Sequence, residues 1–142
     1  MKFSDIKEEE WEELRPYLDT CLLPVTGLSG TENPWQTTEA LEKLADALEL
    51  LEIPYKGRVV TYPALHYSQA AAAEGQAVEV CQALKDGGFA YVVVVTADEA
   101  AAKWQLAPAD LLLYVDPARL AADKTAVKAE ATSRMQQLWH SK

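Results

Sequence analysis

The sequence predicts an α/β fold, a three-layer α/β/α sandwich around a mainly parallel sheet of about four strands. Short apolar runs rich in strand formers alternate with amphipathic helical stretches along the whole chain. The run 89–95 (FAYVVVV) is continuously apolar and β-branched, the pattern of a central strand buried on both faces. Connections of the type strand, helix, parallel strand are right-handed, so helices are expected on both sides of the sheet. A length of 142 residues fits one domain with one core, residues 1–142, opening with a lead-in helix over 1–16.

Each element has its own signature. Residues 4–15 read as a helix capped by Ser4 or Asp5, with glutamates at its positive end and Pro16 as its stop. Residues 20–25 (TCLLPV) read as the first strand, followed by a long loop through Gly27 and Gly30. Over 38–51, Leu41, Leu44, Ala45, Leu48 and Leu51 recur at helical spacing, with Thr38 placed to cap and Pro54 beyond the end. Gly57 opens a second strand over 58–63 (RVVTYP), whose proline falls where losing an amide donor costs least.

An alanine-rich helix over 69–85 puts Ala73, Ala77, Val80, Cys81 and Leu84 on one stripe, and Gly87–Gly88 stops it before the 89–95 strand. Thr96 and Glu99 fit a capping box for a short helix through Trp104, and residues 111–115 (LLLYV) supply the fourth strand. Asp116–Pro117 is a cap followed by a first-turn proline. The helix it opens is expected to run to Trp139, with Val127, Ala131, Met135 and Leu138 inward.

Charge and cysteine usage narrow the function classes. A net charge of −9 repels nucleic-acid backbones and anionic lipid, so neither is expected as a partner. The glutamates at positions 8, 9, 10, 12 and 13 read as a solvated helix face, because Trp11 and Leu14 interrupt them at helical spacing. Cys21 and Cys81 sit among apolar neighbours and form no CxxC or Cys/His cluster, so buried thiols are expected. No apolar run reaches the ~18 residues of a membrane span and the first residues lack an apolar signal core, so a cytoplasmic location is expected.

In a parallel sheet the working surface lies beyond the carboxyl ends of the strands, so the loops 26–35, 64–68 and 96–99 and Asp116 are expected to converge. The candidate ligand-binding residues there are Thr26, Ser29, Glu32, Trp35, His66, Tyr67, Thr96, Asp98, Glu99 and Asp116. Helix capping is the commoner role for Glu99 and Asp116, and a lone His66 is more often a loop hydrogen-bonder than a ligand or base. Residues 26–30 (TGLSG) match neither GxGxxG nor GxxxxGK[ST], there is no GxSxG elbow, and neither cysteine has a base near it in sequence. No catalytic residue, metal or cofactor is assigned, and a protein or small molecule is the expected partner. Trp11, Tyr17 and Trp139 are surface candidates for self-association into a homo-oligomer.

With residues 17–25 (YLDTCLLPV), 57–63 (GRVVTYP) and the join 86–89 (DGGF), the chain resembles the YpiF-like Bacillus-type proteins of unknown function. The succession 22–25, helix, 59–63 and 88–95 also looks like the first half of the creatininase amidohydrolase family. That resemblance implies a creatininase-like fold and, in the family, a two-metal hydrolytic centre built on histidine motifs. The matching stretches here, 28–33 (LSGTEN), 36–38 (QTT) and 96–99 (TADE), lack those histidines. Glu32 and Asp98 alone are too few to hold two ions and polarise a water. The expectation is a shortened scaffold serving as a binding or regulatory module. The rival is a divalent-metal hydrolase using Glu32, His66, Asp98 and Glu99, with Asp116 in support.

Overall fold

Strand β1, Thr20–Val25, is buried at all six positions, which requires neighbours on both edges and packed layers on both faces. The computed structural model describes residues 1–66 and 70–141 and supplies both. β1 pairs in parallel with β2 (Val59–Thr61) from Thr20↔Val59 to Leu22↔Thr61. On its other edge it pairs with β3 (Tyr91–Thr96) from Thr20↔Tyr91 to Val25↔Thr96. β4 (Leu111–Tyr114) completes an all-parallel sheet of order β2-β1-β3-β4.

The helices are α1 (Glu8–Leu14), α2 (Pro34–Glu52), α3 (Ala70–Asp86), α4 (Pro117–Ala122) and α5 (Lys124–His140). Alternation along the strands sorts the core into two halves. Leu22, Val93, Val95 and Leu113 pack with α2 and α5, whereas Cys21, Leu23, Val92 and Val94 pack with α3. Three layers result. The chain leaves β1 toward β2 over the α2 face and returns past β1 to β3 over the α3 face, so its winding direction reverses between β1 and β3.

One knot of side chains ties α5 to the amino-terminal end of the sheet. Trp139 is buried, and its indole Nε1–H donates to Thr20 Oγ1 at 2.9 Å. The Arg58 guanidinium lies 4.0 Å from the Trp139 ring centroid and binds Asp19 through two hydrogen bonds of 3.0 and 3.1 Å. Tyr55 meets the same indole edge-on at 4.7 Å. At the β2 edge, Lys2 forms a parallel bridge with Thr61 and the Met1 carbonyl accepts from Thr61 N at 2.8 Å, which covers otherwise open backbone groups.

Several sequence expectations need correction. α2 begins at Pro34, because the Asn33 side chain accepts from Gln36 N at 2.9 Å and Gln36 returns a bond to Asn33 N at 3.0 Å. Thr38 lies inside the helix, and its hydroxyl donates to the Pro34 carbonyl. Leu41 and Ala45 face water; Ala47 and Leu50 join the buried stripe instead. The expected 4–15 helix is a 3-10 turn at Phe3–Asp5 followed by α1, which the Glu10 carboxylate stabilises by accepting Lys7 N at 3.1 Å.

The second strand is shorter than the expected 58–63. The capping box at Thr96 does not form: Thr96 ends β3, and a 3-10 turn at Ala101–Lys103 follows without a side-chain cap. The carboxyl-terminal helical region divides at Asp123, whose side chain accepts from Ala126 N at 3.1 Å and restarts the helix as α5. Trp139 takes the inward position expected of Leu138, which is half-buried, so Trp139 does not belong to the surface. Trp139→Ala should therefore lower unfolding stability by about 3–5 kcal/mol, read as a fall in the urea midpoint at unchanged slope.

Candidate functional site

A reversal of winding direction leaves a crevice beyond the carboxyl ends of the two strands that flank it, because their following segments depart to opposite faces. Here those strands are β1 and β3, and the crevice is a cleft of about 320 Å³ lined by Thr26, Gly27 and Leu28 after β1 and Ala97 and Asp98 after β3. The first turns of α2 form its wall with Gln36, Glu39 and Lys43, and Glu32 and Pro117 close its rim. Lys43 is paired with Glu39 at 2.8 Å.

Thr26 locks the floor. Its backbone N–H donates to the Leu65 carbonyl at 2.9 Å, and its hydroxyl oxygen accepts Leu28 N at 3.1 Å. The hydroxyl also lies 3.1 Å from the Leu65 carbonyl and 2.8 Å from His66 Nδ1. Its one proton serves only one of these, so if Leu65 receives it, Nδ1–H of His66 is the donor to Thr26.

Gly27 has φ +79°, and a Cβ there would come within 2.7 Å of Asp98 Oδ2. Only glycine gives both the left-handed turn and the room for that carboxylate. Thr96 holds the turn after β3: its hydroxyl donates to the Val25 carbonyl at 3.0 Å and accepts Asp98 N at 3.0 Å.

The loop before α2 folds around its own carboxylate. Glu32 accepts from Ser29 N at 3.1 Å, Gly30 N at 3.0 Å and Ser29 Oγ at 3.2 Å. These bonds, the Ser29 amide foremost, hold its carboxyl below the ordinary 4.5. Asn33 caps Gln36 N and Pro34 has no N–H, so the amides of Ser29, Gly30 and Gln36 are all engaged by side chains of the same loop. On the β4 side, burial and then the charges of Asp116, Glu99 and Asp98 raise the Tyr114 phenol above its usual range.

Residues 9–139 match the profile of a family described as protein of unknown function, DUF2487. The chain belongs to that family. No curated protein and no solved structure matches the chain.

Among the sequence candidates, Thr26, Glu32 and Asp98 line the cleft of this DUF2487 domain. Ser29 is occupied with Glu32, and Thr96 is fully buried and supports the floor. His66 is exposed and touches the cleft through Thr26, whereas Glu99 lies exposed outside the lining. Asp116 caps α4 by accepting Ala118 N at 3.0 Å, and Trp35 stands 71% exposed on the first turn of α2. Tyr67 lies outside the described residues.

Sequence reading missed Gly27, Gln36, Glu39 and Lys43. A helix start placed at Asn33 by its capping box would have put the last three on one face turned toward the loop.

Among the described residues no three of His, Cys, Asp and Glu come together as a metal-binding group. Cys21 and Cys81 are free and buried, and burial pushes their thiols up to about 12 and about 11. No helix among the described residues is long and apolar enough to cross a membrane.

Two outcomes follow. Because the folded state depresses the Glu32 pKa, its contribution is present above the unfolded value and fades as pH falls through the folded one. Acid unfolding below about pH 4.5 should thus be shallower in Glu32→Gln than in the unmodified protein, measured by circular dichroism. Native protein at pH 8 should resist iodoacetamide at both cysteines and take up two labels once unfolded, counted by mass spectrometry.

Proposed function

We propose that this chain is a non-catalytic binding module that takes a small polar ligand bearing a cationic or hydrogen-bond-donating group at the β1/β3 cleft. The observation that carries this reading is the Asp98 carboxylate seated against Gly27 in a cleft with Glu32 at its rim, where the wall's one lysine, Lys43, is already paired with Glu39. A carboxylate in such a position favours an ammonium or a donor over an anion. Three amides of the kind doubly wound sheets commonly present to phosphate, those of Ser29, Gly30 and Gln36, are engaged by Glu32 and Asn33.

The inventory of reactive groups agrees. Both thiols are protonated at neutral pH and sealed in the core. The Thr26 hydroxyl has a histidine beside it, but it is held in contacts with Leu28, Leu65 and His66 that fix the turn. On this reading the chain is a shortened creatininase-like scaffold of the YpiF-like kind, working in the cytoplasm. Exposed Tyr17, with half-buried Trp11 nearby in sequence, is a surface through which it would self-associate.

Thermal unfolding with a panel of primary amines and matched carboxylates tests the ligand class. A cleft-binding amine at a hundredfold excess over its Kd should add about 2.7 kcal/mol of stability, and Asp98→Asn should abolish the gain. A panel in which only carboxylates stabilise would refute the ligand class. Hydrolysis of amide or ester substrates by the unmodified protein, lost in His66→Ala, would refute the non-catalytic reading.

A further inference from the structure

A second cavity of about 500 Å³ lies farther along α2, between that helix and the α4–α5 junction. It meets the β1/β3 cleft at Lys43 and Pro117, which line both. Its size falls in the range of small-molecule sites. The floor is apolar, made by Leu50 of α2, by Ile53 just past its end and by Pro117 and Leu120 of α4. Ile53 is 59% exposed, so this apolar strip is open to water.

The walls carry opposite charges. Asp46 and Glu49 stand on α2, and Lys124 and Lys128 stand across the groove on α5, spaced so that both lysines share one helix face. Among the described residues none of these four forms an ion pair, in a chain whose Lys2, Lys43, Arg58, Lys85 and Arg119 all do. No charge on one wall comes within ion-pair distance, 4.0 Å, of an opposite charge on the other across the apolar floor. A simple amphipathic anion would satisfy the lysines and leave the acids facing its apolar body, and a cation would do the reverse. Lys43, the remaining charge of the lining, is paired with Glu39, so only a molecule with both signs meets the four unpaired charges of the groove.

We propose that this groove binds an amphipathic zwitterion, the chemistry of a short apolar peptide with free termini. Its ammonium lies toward Asp46 and Glu49, its carboxylate toward Lys124 and Lys128, and its side chains rest on Leu50, Ile53 and Leu120. The groove adjoins the β1/β3 cleft, but none of these seven residues lines that cleft, so the assignment does not depend on what the cleft binds.

Titration calorimetry on the full chain with trileucine, N-acetyl-trileucine and trileucine amide tests the assignment. Trileucine should bind saturably at one site, and blocking either terminus should weaken it by up to about fivefold, the upper end for a solvent-exposed charge pair. The double variant Lys124→Ala, Lys128→Ala should bring trileucine down to the affinity of its amide and leave the amide unaffected. Asp46→Asn with Glu49→Gln should do the same relative to the acetylated peptide. Asp98→Asn should bind trileucine unchanged, which separates this site from the cleft, and unchanged circular dichroism certifies the surface variants as folded. No saturable binding at millimolar peptide, or equal affinities for the three peptides, would overturn the proposal.

Discussion

The parallel pairing of β1 with β3 is the constraint on which the rest of the molecule depends. Six consecutive residue pairs, all buried, fix both strands in one register. A slip of β1 by one residue against β3 would turn Leu22 from the α2 face to the α3 face and bring Cys21 and Leu23 to the side of Val93. The same pairing fixes where the loops go. With Val25 beside Thr96, the turns that follow start side by side, which is why Gly27 and Asp98 touch although 71 positions of chain separate them.

The two ends of the sheet are built differently. At the amino-terminal end, Asp19, Thr20, Tyr55, Arg58 and Trp139 consume one another's polar and aromatic capacity, and the last helix is bound to the first strand. At the carboxyl-terminal end, the contacts of Thr26 and Thr96 hold backbone turns in place and leave carboxylates along the rim. Rigidity at one end and exposed polar chemistry at the other is the division expected of a scaffold that presents loops.

How much was legible in the sequence depended on which interaction decided each feature. β1 was read to its exact residues because an apolar run between polar boundaries has one solution, and the layered α/β class followed from the alternation of such runs with helices. Helix starts were misread wherever two capping residues competed. Asn33 with Gln36 outbid Thr38 because the reciprocal pair satisfies two backbone groups and not one. Thr96 was claimed by the sheet, since a fully buried hydroxyl bonds the neighbouring strand's carbonyl before it can serve as a cap. The cleft residues on α2 went unseen for the same reason, as their face is defined by where that helix begins. Trp139 looked like a surface residue because nothing local announces a partner 119 positions away.

The internal solvation of Glu32 has a wider meaning for this architecture. A crevice of this type ordinarily offers loop amides to an incoming phosphate, and here a tethered carboxylate has already taken that seat. That engagement of the Ser29 and Gly30 amides by Glu32 is local, at the scale of single hydrogen bonds. It would persist at salt concentrations that screen the overall negative charge.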